Sequence, residues 1–224
     1  MAPASYKLVI GNKMWSSWSL RPWLLMRHFG IAFEEAPIRL RSPDTAVQIK
    51  AYSPSGKVPA LIAGDLTVWD TLAIIEYLAE AYPKLTIWPS DGAARAIARS
   101  VSAEMHSGFV ALRQNCPMDF TARGLRPLDE AAIAGDVARI AEIWHICRKT
   151  YGLAGPFLFG EFSAADAMYA PVVSRFVSYD VNLAQSRSAL SGDDGVAAAY
   201  IDTMMALPGM AAWGKAAAWE GASL

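Results

Sequence analysis

Five consecutive residues near the start of the chain, Trp15-Ser16-Ser17-Trp18-Ser19, combine hydroxyl groups with large aromatic side chains. They follow a compact apolar run, residues 6–10, that predicts a buried strand, and they precede a helical pattern. Ligands of parallel sheets bind beyond the carboxyl ends of the strands, and the free N–H groups at a helix start favour an anion. A serine hydroxyl there can stabilise a thiolate, whose thiol form has a pKa of about 8.5 when free. Spacing alone favours the simpler interpretation, in which the serines cap the helix.

The dipeptide Val58-Pro59 follows the turn-forming stretch 53–57 and opens an apolar run that predicts a strand. A proline at the start of a strand suits a cis peptide bond, although a trans bond is statistically the commoner case. A cis turn would leave the N–H and C=O of Val58 free to pair with an extended peptide.

The pair Asp70-Thr71 stands where a strand ends and a clear helical pattern begins. Asp70 can cap the helix with its carboxylate, and Thr71 offers a hydroxyl and an early helix N–H to a carboxylate ligand. Capping alone would explain both residues, so this motif by itself predicts no ligand.

Four short strands and two helices must position these residues. Strands are predicted at 6–10, 31–40, 58–62 and 66–69, with helices at 19–29 and 71–81. Gly30 suits the end of the first helix, and Ala63-Gly64-Asp65 predicts a hairpin turn. A strand, a crossover helix and a strand imply a parallel pair, and this order of elements is typical of the thioredoxin-like arrangement.

The chain changes character near Pro89, after which nearly every pattern is helical and rich in alanine. We predict a long helix over 93–115, a second one whose apolar stripe runs from Ile133 to Tyr151, and a buried helix over 164–179. Two shorter helices, separated by Pro208-Gly209, complete the chain. The predicted domains are therefore 1–83 and 93–224, with 84–92 as the linker; the fold class is α/β plus all-α.

Taken together and in this order, the motifs resemble the glutathione transferase superfamily. The matching segments are Ser16 to Arg21, Gly56 to Leu61, Asp70 to Leu78 and, in the helical part, Phe159 to Asp166, which resembles the buried capping box of the family. The resemblance covers nearly the whole chain. It implies a thioredoxin-like glutathione-binding domain followed by a helical-bundle domain.

The resemblance also implies roles for single residues. Ser16 is similar to the serine that hydrogen-bonds the glutathione thiolate in serine-type classes, with Ser17 as the alternative. The Val58-Pro59 turn would pair with the cysteinyl part of glutathione, and Asp70-Thr71 would hold the γ-glutamyl end. Lys57 is the candidate for the glycine carboxylate, or else a solvated surface lysine.

The serine loop resembles the zeta class, the maleylacetoacetate isomerases, but Trp18 stands where that class has a cysteine. Residues 112–119 are similar to a bacterial branch of stress-related transferases. The resemblance thus implies glutathione transfer to small hydrophobic electrophiles or organic hydroperoxides. A zeta-type cis–trans isomerase and a non-catalytic binding module are the alternatives.

The electrophile is expected between the serine loop and the first long helix, in an apolar pocket with few polar groups. Helix packing is an equal alternative for Met105 and Phe109. A structural role is the commoner one for a lone helical histidine such as His106, and a surface ion pair is the commoner role for an arginine such as Arg113. The candidate lining residues are Trp15, Trp18, Met105, His106, Phe109 and Arg113.

Composition narrows the classes further. The 20 basic and 21 acidic residues nearly cancel, which argues against a nucleic-acid partner. Cys116 and Cys147 lack metal-site spacing and suit a reducing compartment, and no apolar run reaches the roughly 20 residues of a membrane span. We expect a soluble, cytoplasmic protein without a metal, and the apolar faces of its two long helices indicate a homodimer.

Overall fold

The computed structural model describes residues 5–181, 183 and 195–222. The outer ends of the two predicted domains, 1–4 and 223–224, lie outside the described residues, as do 182 and 184–194. Within the described part, none of the helices combines the length and the apolar character that a membrane crossing requires.

A four-stranded mixed sheet forms the first half of the chain, with the strand order β2-β1-β3-β4. The predicted parallel pair is confirmed, since β1 runs parallel to β2, and so is the hairpin, since β3 and β4 are antiparallel. β2 is shorter than predicted and lies at the sheet edge, which is where a proline such as Pro37 is tolerated because it has no N–H to donate. The strands are β1 Tyr6–Gly11, β2 Glu34–Ile38, β3 Ala60–Ala63 and β4 Leu66–Trp69.

Three helices accompany this sheet in the first half of the chain, and the described part of the second half is helical. Gly30 ends the first helix with φ 66°, the left-handed conformation predicted from its type. The short helix α2 was not predicted. In the first half, the described residues form α1 Ser17–His28, α2 Thr45–Lys50 and α3 Thr71–Ala81. In the second half they form α4 Gly92–Ser107, α5 Val110–Asn115, α6 Glu130–Thr150, α7 Ala164–Ser178, α8 Val196–Met205 and α9 Pro208–Gly221.

The prediction of one long helix over 93–115 is wrong, because the helix breaks at Gly108 and Phe109. Gly108 is extended, and a Cβ there would lie 2.7 Å from the carbonyl oxygen of Glu104, so the close approach requires glycine. Phe109 has φ 53° and places its ring in the core with 6% exposure. Pro208 likewise begins α9 instead of separating the last two helices, in keeping with the preference of proline for the first helical turn.

One hydrophobic core runs through both halves, from Leu8 in β1 to Ala217 in α9. The buried guanidinium of Arg21 in α1 donates to the carbonyl of Met168 in α7 at 2.9 Å, so the two halves also share polar contacts. The predicted capping box at the start of α7 is present. A thioredoxin-like half joined to a helical half confirms the predicted fold class.

Candidate functional site

A cleft of about 500 Å³ lies where the sheet half meets α4 and α5. The starts of α1 and α3 and the turn before β3 form one wall, and residues of α4 and α5 form the other. The cleft brings together eight of the predicted site residues, and Ser55 and Trp69 line it in addition. Its lining residues are Trp18, Ser55, Lys57, Val58, Pro59, Trp69, Asp70, Thr71, His106 and Arg113.

Ser16 lies at the N-cap position of α1, two residues before the cleft residue Trp18, and is not itself a lining residue. Its side chain makes no capping hydrogen bond. Instead, its hydroxyl lies 2.7 Å from the hydroxyl of Ser19, which accepts the N–H of Gly11 at 3.1 Å. When Ser19 donates to Ser16, the proton of Ser16 is free to be donated to an anion. Ser17, the alternative residue, begins α1, and its carbonyl accepts from Arg21 at 3.1 Å.

Two guanidinium groups lie near the ring of Trp18. The guanidinium of Arg21 lies 4.1 Å from the centre of its ring and that of Arg113 lies 5.7 Å away. Burial, and then the positive charges of Arg175 and Arg113, lower the pKa of Arg21, but a guanidinium stays protonated in proteins. Arg21 makes no ion pair within the described residues, so its charge favours an anion near the start of α1.

Asp70 caps α3 and also faces the cleft. One carboxylate oxygen accepts the N–H of Leu72 at 2.9 Å, and the other lies 2.7 Å from Nε2 of His106. The backbone of Asp70 has φ 72°, a conformation that costs energy for a residue other than glycine and is common at functional sites. The hydroxyl of Thr71 donates to the carbonyl of Trp18 at 3.3 Å, which ties the start of α3 to the start of α1.

The turn before β3 contributes Lys57, Val58 and Pro59 to the cleft lining. The peptide bond between Val58 and Pro59 is cis, the rarer of the two forms that the sequence left open. Lys57 is exposed and makes no ion pair within the part of the chain that the structure describes. Its backbone N–H donates to the hydroxyl of Ser55 at 3.2 Å.

Three predicted pocket residues lie outside the cleft lining. Trp15 packs against Arg41, whose guanidinium lies 4.4 Å from the centre of the Trp15 ring. Phe109 and Met105 belong to the core, so the packing alternative holds for their side chains. The sequence signal for the two lining residues that we did not predict was modest: Trp69 is a large aromatic residue directly before Asp70, with 47% exposure, and Ser55 precedes the Gly56 turn.

The two cysteines do not contribute a reactive thiol. Both are free and buried. Burial raises the pKa of Cys116 to about 11 and that of Cys147 to about 12. The described residues also contain no group of three or more His, Cys, Asp or Glu side chains that could hold a metal ion.

Comparison with known proteins agrees with this geometry. The family described as "Glutathione S-transferase, N-terminal domain" matches residues 15–81, which include the serine loop and the starts of β3 and α3. Residues 15–81 therefore resemble the N-terminal domain of a glutathione S-transferase. The chain is similar to a maleylacetoacetate isomerase of Rattus norvegicus, 29% identical over 182 residues, which are 75% of this chain and 76% of the relative. Glutathione S-transferase Z2 of Arabidopsis thaliana is 36% identical over 81 residues, or 36% of each chain.

A probable maleylacetoacetate isomerase of Caenorhabditis elegans is 32% identical over 93 residues, so the matched region spans 42% of that relative. Among solved structures, a glutathione transferase homologue from Burkholderia with bound glutathione has a TM-score of 0.66 at 20% identity and covers 95% of this chain and 97% of its own. The tau-class transferase of mango, Mangifera indica, has a TM-score of 0.70 at 21% identity, with 98% and 99% covered. The curated relatives carry isomerase and zeta-class names, and the two solved structures share the fold of this chain.

Proposed function

We propose that this chain is a glutathione transferase that binds glutathione in the cleft and activates its thiolate for attack on a small hydrophobic electrophile or an organic hydroperoxide. The observation that carries the proposal is that Lys57, Val58, Asp70 and Thr71 line one cleft beside the start of α1. These groups match the chemistry of an extended tripeptide that carries two carboxylates, one ammonium and one thiol.

Each part of glutathione finds a suitable group in the cleft. The Lys57 ammonium suits the glycine carboxylate, and the backbone of Val58 suits the cysteinyl peptide groups. The backbone N–H of Thr71 suits the γ-glutamyl carboxylate, and the Asp70 carboxylate suits the γ-glutamyl ammonium. The cleft lining contains two cations, Lys57 and Arg113, and one carboxylate, that of Asp70, so the cleft favours a ligand that carries net negative charge.

The sulfur then lies near the start of α1, where Ser16 would act. A hydrogen bond from the Ser16 hydroxyl, the N-terminal end of α1 and the buried charge of Arg21 all favour the thiolate over the thiol. The thiolate attacks an electrophilic carbon and displaces a leaving group, or it attacks a peroxide oxygen. In the second case the O–O bond breaks, the alkoxide leaves and takes up a proton to form the alcohol, and the glutathione sulfenic acid reacts with a second glutathione to give the disulfide and water. The protein supplies stabilisation of the thiolate and proximity, since no cysteine of its own lies there.

The second substrate is expected against Trp18, Trp69, His106 and Arg113, which offer two aromatic faces and one cation. Such a mixture fits a small hydrophobic electrophile. A zeta-type cis–trans isomerase is the second candidate, favoured by the rat relative that is named a maleylacetoacetate isomerase. Incubation with a cis-diketo acid and glutathione distinguishes the two. Failure to be retained on immobilised glutathione would instead favour a non-catalytic module.

The test of the proposed function is glutathione-dependent turnover with a chlorodinitrobenzene-type acceptor and with cumene hydroperoxide. Loss of one preorganised donor to a developing or full anion costs about 100-fold or more, so we expect Ser16→Ala to lose activity on that scale. Ser17→Ala is the matched control and should retain most of the activity. Equal rates for wild type and Ser16→Ala would remove Ser16 from the proposed role.

We further propose that the protein acts as a homodimer in the cytoplasm. The two long helices α4 and α6 offer faces for association, and the two buried free thiols suit a reducing compartment. The sedimentation velocity of the purified chain measures the oligomeric state directly.

A further inference from the structure

The beginning of the serine loop and the turn that precedes it, together residues 12–16, are held by contacts from outside the sheet half. Within the loop, the carbonyl of Asn12 accepts the N–H groups of Trp15 at 3.1 Å and Ser16 at 2.8 Å, which forms a tight turn. The side-chain oxygen of Asn12 accepts the N–H of Leu40 at 2.7 Å. Lys13 and Met14 lie between the residues that these hydrogen bonds join, so their backbone belongs to the same turn as Ser16.

Lys13, which lies within this turn, is hydrogen-bonded through its backbone to the C-terminal helix α9. Its backbone N–H donates to Oε2 of Glu220 at 2.7 Å, and its carbonyl accepts the indole N–H of Trp213 at 2.7 Å. Both backbone groups of one residue are thus fixed by one helix, across sequence separations of 207 and 200 residues. Trp213 and Glu220 are seven positions apart, so they lie on the same face of α9.

Side-chain packing reinforces the same contact. The ammonium of Lys13 lies 5.7 Å from the ring centre of Trp23 and 5.6 Å from that of Trp213, and it pairs with Glu35. This arrangement buries the Lys13 side chain to 11% exposure, so the residue has little freedom to move without α9.

The next residue along the loop is also fixed by the helical half. The carbonyl of Met14 accepts the N–H of Phe120 at 3.1 Å. Two glycines of α9 permit close approach, because a Cβ at Gly214 would lie 2.9 Å from the Phe120 ring and one at Gly221 would overlap the end of the Met14 side chain. The sheet alone does not determine where the serine loop lies.

We propose that α9 contributes to the thiolate site. Its residues Glu220 and Trp213 are positioning residues that hold the serine loop where the Ser16 hydroxyl reaches the sulfur of glutathione. This inference rests on the proposed function and adds two residues to it. A hydrogen-bond donor stabilises an anion only at short range and correct angle, so a loop that relaxes by a fraction of an ångström loses much of the effect.

The test compares Glu220→Ala, which removes the acceptor, with Glu220→Gln, which keeps a side-chain oxygen that can accept from Lys13. Asp202→Ala is the matched control, because it removes an exposed carboxylate from the neighbouring helix α8.

The readouts are kcat/KM and the pH titration of the thiolate absorbance of glutathione bound to each full-length protein. We expect Glu220→Ala to raise the pH midpoint of that titration and to lower kcat/KM by about tenfold, the scale of a small displacement of a catalytic group. Glu220→Gln should recover most of the loss and Asp202→Ala should change neither readout.

A double-mutant cycle with Ser16→Ala distinguishes a positioning role of Glu220 from a general effect of Glu220 on protein stability. If Glu220 acts through Ser16, Glu220→Ala adds little to Ser16→Ala. Equal effects of Glu220→Ala in both backgrounds, or a thiol titration identical to that of wild type, would overturn the inference. Trp213→Phe removes only the second anchor and should shift the titration in the same direction. Failure of the wild type to bind glutathione would instead overturn the proposed function itself, and this inference with it.

Discussion

Asp70 has two roles in the structure, and each uses a different carboxylate oxygen. One oxygen caps α3 through the N–H of Leu72, and the other meets Nε2 of His106 on the opposite wall of the cleft. The γ-glutamyl ammonium of glutathione would use the second oxygen. The cap and the ligand contact can therefore be separated by substitution, since only the ligand contact depends on the negative charge.

We predict that Asp70→Asn raises the KM for glutathione about ten- to a hundredfold, the value of a lost charged hydrogen bond, with little change in kcat. Asparagine caps a helix as well as aspartate does and tolerates a positive φ, so the melting temperature should stay near that of wild type. Asp70→Ala should show the same KM effect and an additional loss of about 1 kcal/mol in the free energy of unfolding, because the cap is gone. Initial-rate kinetics and thermal melts check both, and an unchanged KM for Asp70→Asn would exclude the ammonium contact.

At the scale of elements, the start of α7 is built around one buried carboxylate. Asp166 accepts the N–H groups of Leu158 and Ser163, the Ser163 hydroxyl, and the hydroxyl of Tyr200 on α8 at 3.0 Å. Burial raises the pKa of Asp166 from its usual 3.8 to about 6, and these hydrogen bonds only partly oppose that shift. The carboxyl group therefore joins α7, α8 and the preceding connection, and its charge depends on pH.

The sign of the pH effect follows from the raised pKa. Between pH 4 and 6 the folded protein keeps a proton that the unfolded chain has released, so stability from this group is complete below about pH 4 and is lost as the pH rises through about 6. We predict that the free energy of unfolding of wild type, measured relative to that of Asp166→Asn, falls by roughly 3 kcal/mol as the pH rises from about 4 to about 6. Denaturant unfolding of both proteins at several pH values measures the difference, and a difference that is constant with pH would contradict the prediction.

Elements whose signals are local could be predicted from the sequence. Gly30, Asp70 and the Ser163–Asp166 capping box are each determined by neighbours within a few residues, and the structure has all three. The break at Gly108 was missed because it depends on where the ring of Phe109 finds space in the core, which no local pattern reports. The six-residue helix α2 is too short for its periodicity to be recognised.

On the scale of the whole molecule, the cleft exists only because two halves pack together. Thr71 contacts the carbonyl of Trp18, Asp70 contacts His106, and Arg21 reaches α7, so each wall of the site is fixed by residues far away in sequence. The motifs predicted most of the lining but not these pairings, nor the contact of Lys13 with α9. We propose the segment between α3 and α4 as the domain boundary, although the core is continuous across it.

The central claim is that the Ser16 hydroxyl stabilises the glutathione thiolate within this cleft. Titration of the thiolate absorbance of bound glutathione tests it most directly, in wild type, Ser16→Ala and Ser17→Ala. We predict that the bound thiol in wild type ionises at least about one pH unit below the free value of about 8.5, that Ser16→Ala loses most of this shift, and that Ser17→Ala keeps it. A Ser16→Ala protein that binds glutathione and titrates at the same pH as wild type would contradict the claim.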